Sequence, residues 1–379
     1  MNIIIAGDYS PRSYLQETLD TKAYEGIFGS VRPIVEGADY SIVNFESTIA
    51  DHSSLKIQKC GPHLKTNENA VTAIKFAGFK CVTLANNHFR DYGDSGVQKT
   101  LEELKKRGLD YVGGGTNLSE ASKTLFKDIS GRTLAVINAC EHEFSIADSA
   151  HGGSNPLDII EQYYAICEAR KKADYVIVII HGGHEHFNLP SIRMKKTYRF
   201  FIDVGADAVV NHHQHCWSGY EVYKGKPIFY GLGNFCFPNL TGGDNASFWN
   251  YGYMVRLIVD VGNVNFETIP YVQCFNEAGV KLLDERDSFD TQITALNSII
   301  GNDVELKQRL KTFYSGNARR NRYLWEPYRS KLGKALYYLH LLPNYMTRRG
   351  NKLTMFFNLL NCESHRDKMM FQLKDYMEE

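Results

Sequence analysis

Short apolar runs that stop abruptly at polar residues set the pattern of this chain. Asn2 to Ala6 runs into Gly7-Asp8, and Asp39 to Glu46 turns polar at Asn44 and Glu46. Lys80 to Ala85 runs into Asn86-Asn87-His88. Tyr175 to Ile180, the most apolar of these runs, ends in His181-Gly182-Gly183-His184-Glu185-His186, and Asp207 to Val210 ends in Asn211-His212-His213-Gln214-His215. Short runs closed by such punctuation predict buried strands. Between them a helical period places Val71, Ile74 and Ala77 on one face of a helix over 67–77, stopped by Gly78. A second helix is predicted from a cap at Asp94 or Ser95 to Arg107, with Val97, Leu101 and Leu104 buried and Gly108 as its stop. Helices are also expected over 156–172 and 191–204.

Leu109 to Val112 reads as a strand before Gly113-Gly114-Gly115. That glycine run lacks the GK[ST] of a phosphate-binding loop and is read as a turn. Leu125–Ile129 and Thr133–Asn138 form a hairpin across Ser130-Gly131-Arg132. Further strands are expected over 219–223, 227–230, 253–261 and 263–271, with a turn at 231–234. Alternating strands and helices that give way to successive strands predict an α/β fold of two mixed sheets packed face to face, with helices outside.

Composition bounds this picture without changing it. The chain has 379 residues, 43% of them apolar, and no net charge, so no global field selects a polyanion. Eight scattered cysteines without a CxxC pair read as reduced structural thiols of a cytosolic protein. The N-terminus lacks the basic region of a signal peptide, and no apolar run reaches the roughly 20 residues of a membrane span. A soluble, cytoplasmic protein is expected, able to lie on a membrane surface.

The chemistry sits at the strand ends. Asp8, Glu46, Asn87-His88, His181 and His213-x-His215 each follow an apolar run, and strand ends on one sheet edge converge in space. Carboxylate, amide and imidazole together suit Zn, Mn, Fe, Co or Ni rather than calcium. His213 and His215 share one side if the segment is extended; a turn lets each reach a different ion. A site with two metals needs a bridging carboxylate, and Glu46 is the natural candidate. Two ions about 3.5–4 Å apart could hold a hydroxide nucleophile and clamp a phosphoryl group. His88 would then be a free imidazole facing the leaving group, with Asp91 orienting it or sharing its proton.

With these residues assembled, the chain resembles the bacterial capsule-synthesis (CapA-like) family of poly-γ-glutamate biosynthesis, within the calcineurin-like metallophosphoesterase superfamily. The resemblance runs from Asn2 to Tyr271. It rests on Gly7-Asp8, Asn44-Phe45-Glu46, Leu84-Ala85-Asn86-Asn87-His88-x-x-Asp91-Tyr92-Gly93, His181-Gly182-Gly183-x-Glu185, His212-His213-x-His215 and Tyr230-Gly231-Leu232-Gly233-Asn234-Phe235. It implies a four-layer α/β/β/α sandwich holding two divalent ions such as Mn, Zn or Fe. Asp8 would bind one ion and Glu46 would bridge. Asn87 and His181 would bind the second, and His213 and His215 would be shared between them. His88 would match the proton-donating histidine, and Glu185 an acidic position after the fourth motif. The chain departs from the superfamily at Ser10, where Asp-x-His is usual, at Gly182, where Trp is usual, and at Asn211 and Gln214 in the last motif.

The expected function is metal-dependent hydrolysis, of phosphoesterase type, in capsule, surface-polysaccharide or polyglutamate metabolism. Metal-activated water would attack a phosphorylated small molecule, a glycan or a polyglutamate, with His88 as proton donor. The alternative is a non-catalytic scaffold or binding subunit of a polymer-synthesis assembly.

Two regions are expected: a CapA-like metallophosphoesterase domain over 1–283 and a helical basic extension over 284–379. From Glu305 to Lys352 twelve Lys or Arg face two acidic residues, with aromatics interleaved. Leu332, Leu336, Leu339 and Leu342 suggest an amphipathic helix ended by Pro343, and Met355 to Leu360 another. Such a face packs on the domain or docks on an anionic membrane surface. No nucleic-acid module is recognisable, and no nucleic-acid partner is expected.

Overall fold

The computed structural model describes residues 1–240, 247–260, 263–284, 286–316, 330–339, 341 and 350–378. Eight strands form one sheet: β1 (Asn2–Tyr9), β2 (Tyr40–Phe45), β5 (Cys81–Thr83), β6 (Asp110–Val112), β15 (Asn234–Cys236), β16 (Tyr251–Asp260), β17 (Asn263–Gln273) and β18 (Val280–Leu282). Their order is β18-β17-β16-β1-β2-β5-β6, with β15 also pairing β1. Six form the second sheet: β8 (Leu125–Ile129), β9 (Arg132–Cys140), β11 (Tyr175–His181), β12 (Ala208–His212), β13 (Tyr220–Tyr223) and β14 (Lys226–Phe229), ordered β13-β14-β12-β11-β9-β8. Two-residue strands pair as β3 (Thr48–Ile49) with β4 (Lys65–Thr66), and β7 (Gly114–Gly115) with β10 (Gly153–Ser154). Central pairs β1–β2, β2–β5, β9–β11 and β11–β12 are parallel, so their polar exits lie at one edge.

The side-chain period of two divides the core. Ile3 and Ile5 of β1 and Ile42 of β2 join Val136, Ile177 and Val209 of the second sheet. Ile4, Ala6 and Val43 point the other way. They meet α1 (Tyr14–Asp20), α2 (Tyr24–Phe28), α3 (Arg32–Glu36), α4 (Glu68–Phe76) and α5 (Gly93–Lys106) through Leu15, Ile27, Val35, Val71 and Leu101. The outer face of the second sheet is covered by α7 (Ile159–Lys172) and α8 (Ile192–Val204), which follow the short α6 (Leu118–Ala121). The expected α/β/β/α sandwich is what forms. Each fully buried Ile or Val stabilises by about 1.5–3 kcal/mol, so a one-residue slip of β1, which exchanges its two faces, is strongly disfavoured.

Some local expectations shift. Helix α5 starts at Gly93 without a side-chain cap, because the Asp94 carboxylate accepts the Gly152 amide instead. Helix α7 starts at Ile159, where Asp158 caps the Ile160 and Glu161 amides. Helices α1 to α3 carry no long periodic stripe and were not anticipated. Part of the glycine run is a strand: Gly114 and Gly115 pair with Ser154 and Gly153. A Cβ at Gly113 would stand 2.0 Å from Asn138 Oδ1, and one at Gly114 2.7 Å from Leu84 Cβ. Those glycines serve close packing beneath the Asn86–His88 loop.

After residue 283 come α9 (Asp287–Gly301), α10 (Asp303–Ser315), α11 (Lys331–Tyr338), α12 (Gly350–Asn361) and α13 (Glu363–Glu378). The first two share the inter-sheet core through Phe289, Ile293, Ile300, Leu306 and Leu310. Pro343, expected to end a helix, lies outside the described residues, as do Leu342 and the whole basic 317–329 stretch.

Candidate metal centre

Register brings the acidic strand ends together. Asp8 lies opposite both Asn44 and Asn234, and His181 opposite His212. Gly7 permits the approach: a Cβ there would meet Gly233 O at 1.9 Å, the carbonyl that accepts the Asp8 amide at 3.1 Å. Beyond β12 the chain turns through His213 (φ 88°) and His215 (φ 55°), a region that non-glycine residues rarely occupy away from functional sites. The turn sends the two imidazoles apart. His213 Nδ1 lies 3.1 Å from His181 Nε2, while His215 Nδ1 lies 3.6 Å from Asp8 Oδ2.

Glu46 stands between these groups. Its Oε1 is 3.8 Å from His181 Nε2, 3.7 Å from His215 Nε2 and 3.9 Å from His88 Nε2. Both of its oxygens are buried and accept no hydrogen bond from any described residue. Burial, with the Asp8, Glu185 and Glu143 carboxylates nearby, pushes its pKa well above the carboxylate range. A buried unpartnered carboxylate is costly, about 1–3 kcal/mol or more, and cations would satisfy it. Two sets of possible ligand atoms share it: Glu46, His181 and His213, and Asp8, Glu46 and His215, each within 4.8 Å of one another. Asn87 Oδ1 adjoins the first set, 3.1 Å from His181 Nε2. All six residues expected to hold metal therefore meet, and their mixed oxygen and nitrogen donors suit divalent metal.

The loop after β5 is held from several sides. Asn86 donates to Phe45 O at 2.9 Å and accepts the His88 amide at 3.0 Å, and Thr48 Oγ1 donates to His88 O at 2.7 Å. His88 Nδ1 lies 2.7 Å from Asp91 Oδ2 and 3.1 Å from Lys59 Nζ. Lys59 also pairs with Asp91 through its other oxygen. The Nδ1 atom cannot both donate to Asp91 and accept from Lys59. The shorter contact makes it the donor, leaving Nε2 toward Glu46. Burial first and Lys59 second lower the His88 pKa, against the opposing pull of Asp91. Glu185 lines a cavity of about 310 Å³ together with Asn87, His88 and His215. Partial loss of hydration among the groups around it would by itself raise its carboxyl, but His213, His215, His186 and His88 bring it down to about 2; the side chain still meets solvent, and water screens part of that shift.

Several residues of the site escaped the sequence. Lys59 sits in an irregular loop with no periodic signal. Asn44 Nδ2 lies 2.7 Å from Asp8 Oδ1 and 3.2 Å from His181 Nδ1, and Asn234 Oδ1 lies 2.9 Å from His215 Nδ1, so both orient metal-facing groups. Their positions at strand ends were the available signal. His212 is buried with Nδ1 3.3 Å from Asp8 Oδ1, without a well-aligned hydrogen bond, and it helps hold Asp8 ionised against burial. The departures also find reasons. A Cβ at Gly182 would meet Glu141 Cγ at 2.6 Å, so a tryptophan does not fit. Asn211 Nδ2 donates to Gly182 O, His212 O and Tyr230 O, tying three strand ends. Ser10 is buried and its hydroxyl is unpartnered.

The sequence model of the bacterial capsule synthesis protein PGA_cap matches residues 2–239. The chain belongs to this family. The matched stretch of the PGA_cap family contains every ligand candidate named above. Among curated relatives, the PGA biosynthesis protein CapA of Bacillus subtilis is 36% identical over 234 residues, 61% of this chain and 62% of that one. The capsule biosynthesis protein CapA of Bacillus anthracis is 33% identical over 245 residues, 62% and 60% of the two chains. This chain thus spans about 60% of the length of those relatives. Superposition on a phosphatase from Mycoplasma pneumoniae gives a TM-score of 0.46 at 15% identity, covering 72% of this chain and 93% of that one. The calcineurin-like phosphoesterase YfkN of Bacillus subtilis gives 0.37 at 12%, covering 79% and 97%.

Proposed function

We propose that this chain is a metal-dependent hydrolase of phosphoesterase type, serving the capsule or polyglutamate metabolism for which its relatives are named. The observation that carries the reading is Glu46, buried and unpartnered between two sets of ligand atoms. Asp8, Glu46 and His215 would hold one divalent ion, and Glu46, Asn87, His181 and His213 the other. When bound, such ions supply activation of water and charge stabilisation of a phosphoryl group. Asn44 and Asn234 keep the imidazoles turned inward. His88 presents Nε2 to the cleft and holds its Nδ1 proton on Asp91. An anionic substrate opposes the effect of Lys59, so His88 takes up a proton as substrate binds and passes it from Nε2 to the leaving group. Glu185 lines the same cleft as His88 and His215, where its carboxylate attracts their imidazoles. The test is a screen of the Mn²⁺-loaded full chain against phosphomonoesters, phosphodiesters and polyglutamate. Turnover that chelation abolishes is expected; metal-replete protein inert toward all three classes would sink the reading.

The rival reading is an accessory, non-catalytic subunit. Ser10, buried where the superfamily usually supplies an imidazole, favours it, and two mycobacterial relatives are named as probable accessory proteins of polyglutamine synthesis. A purified chain that retains no metal after Mn²⁺ or Zn²⁺ loading would support that view.

For the C-terminal segment we propose docking on an anionic membrane surface. Leu332, Leu339 and Leu341 are exposed beside Lys331 and Lys334, a combination suited to headgroups. No helix among the described residues is long and apolar enough to cross a membrane. Sedimentation with phosphatidylserine vesicles should capture the full chain. Equal capture of a variant with Lys331→Glu and Lys334→Glu would argue against it.

A further inference from the structure

A second group of metal-ligating side chains borders the same cleft, and it lies mostly outside the family match. Glu143, Cys362 and His365 bring a carboxylate oxygen, a thiol sulfur and an imidazole nitrogen within 4.8 Å of one another. Glu143 comes from the segment after β9. Cys362 lies at the junction of α12 and α13, and His365 lies in the first turn of α13. Glu143 and His365 line the cleft, while Cys362 is buried. The junction is fixed rigidly. Ser364 donates its amide and hydroxyl to Glu141 at 3.1 and 3.0 Å, and Arg193 bridges Glu141 at 2.6 Å and Asp367 at 2.8 Å.

The charge around the thiol is unbalanced in a telling way. Glu141 is matched by Arg193, and Glu363 by His142 at 2.6 Å. Among the described residues Glu143 has only the His213 imidazole, at 3.8 Å. One turn before Cys362, Asn358 is buried against the same cavity, and its Oδ1 has no hydrogen-bond partner. An unmatched carboxylate, a thiol, an imidazole and an unpartnered amide oxygen form the surroundings of a cation. The sulfur and nitrogen donors select a borderline-soft ion of the zinc type over magnesium or calcium.

We propose that Glu143, Cys362 and His365 bind a zinc-class divalent ion, separate from the ions around Glu46, at the wall where α13 closes the cleft. Coordination takes the proton from the Cys362 thiol and releases it to solvent as the sulfur–metal bond forms. Three protein ligands leave a position open to the cleft, where an anionic group of a substrate can bind. The site also joins α13 to the segment after β9, so its loading couples the C-terminal helices to the cleft.

Cobalt(II) provides the test, because a thiolate–cobalt charge-transfer band in the near ultraviolet requires a sulfur ligand. The ligand set around Glu46 contains no sulfur. Metal-stripped full chain titrated with CoCl₂ should develop this band. Cys362→Ser should lose it, and Glu46→Ala should keep it even where the other ions are lost. Should Cys362→Ser fold poorly, His365→Ala keeps the thiol and should weaken cobalt binding at this band at least tenfold. No band in the wild type, a band surviving in Cys362→Ser, or unchanged affinity in His365→Ala would each overturn the assignment. Because Glu46→Ala separates the two centres, a failure here is distinguishable from a failure of the proposed hydrolase.

Discussion

At the scale of single residues, Glu46 and His88 divide the work of the site. Glu46 belongs to both ligand sets, so Glu46→Gln should strip both ions, whereas Asp8→Ala should strip one; elemental analysis after dialysis distinguishes the two. His88 belongs to neither set. His88→Ala should abolish turnover and leave metal content nearly unchanged, and loss of metal would make it a ligand instead. Lys59→Met removes the cation that helps lower the His88 pKa. The ring should then titrate at higher pH, visible in the NMR shift of its Cε1 proton. Asp8, Glu46 and the imidazoles were legible because each follows an apolar run. Lys59 was not, because its role arises from a loop folding back on a partner 32 residues away.

At the scale of elements, close approaches of backbone decide whether the strand ends meet. Gly7→Ala drives a methyl group into a carbonyl oxygen. Overpacking of this kind costs about 1–3 kcal/mol, and here it displaces Asp8. Urea unfolding should show the lower stability, and metal affinity should fall with it. Helix α13 depends on a different device, the buried pairing of Glu141 with Arg193. Burial alone would raise the Glu141 carboxyl, but Arg193 and Ser364 bring it down to about 2. Arg193→Ala leaves that carboxylate without its cation, at a cost of about 3–5 kcal/mol. Faster amide exchange in α13 than in β11 is the expected signature. The periodic helices α4 and α5 were readable from their stripes. The short α1 to α3 were not, since their burial comes from the sheet they cover.

At the scale of the whole molecule, the first two helices after residue 283 are part of the core. His184, after β11, packs on Phe313 and Tyr314 of α10 and lies 2.9 Å from the Tyr314 hydroxyl. Burial lowers its pKa to about 3. The folded chain therefore holds it neutral while the unfolded chain protonates it near pH 6.5. Its contribution is fully present above pH 6.5 and is lost as pH falls toward 3, at up to about 1.4 kcal/mol per pH unit. His184→Gln should flatten the fall in melting temperature of the chelated protein across that window. An unchanged slope would show that other groups dominate.

Local pattern along the chain specifies the α/β/β/α class, the central strands and the six residues, Glu46 among them, that meet at the site. Apolar runs and their polar ends are local properties, and parallel strands must exit at one edge. Tertiary structure alone decided how the His-x-His pair divides, which it does through left-handed backbone at both histidines. It also decided that Lys59 joins His88, and that α13 brings Cys362 and His365 beside Glu143. Those outcomes depend on contacts between segments far apart in the chain, which no local pattern of residues encodes.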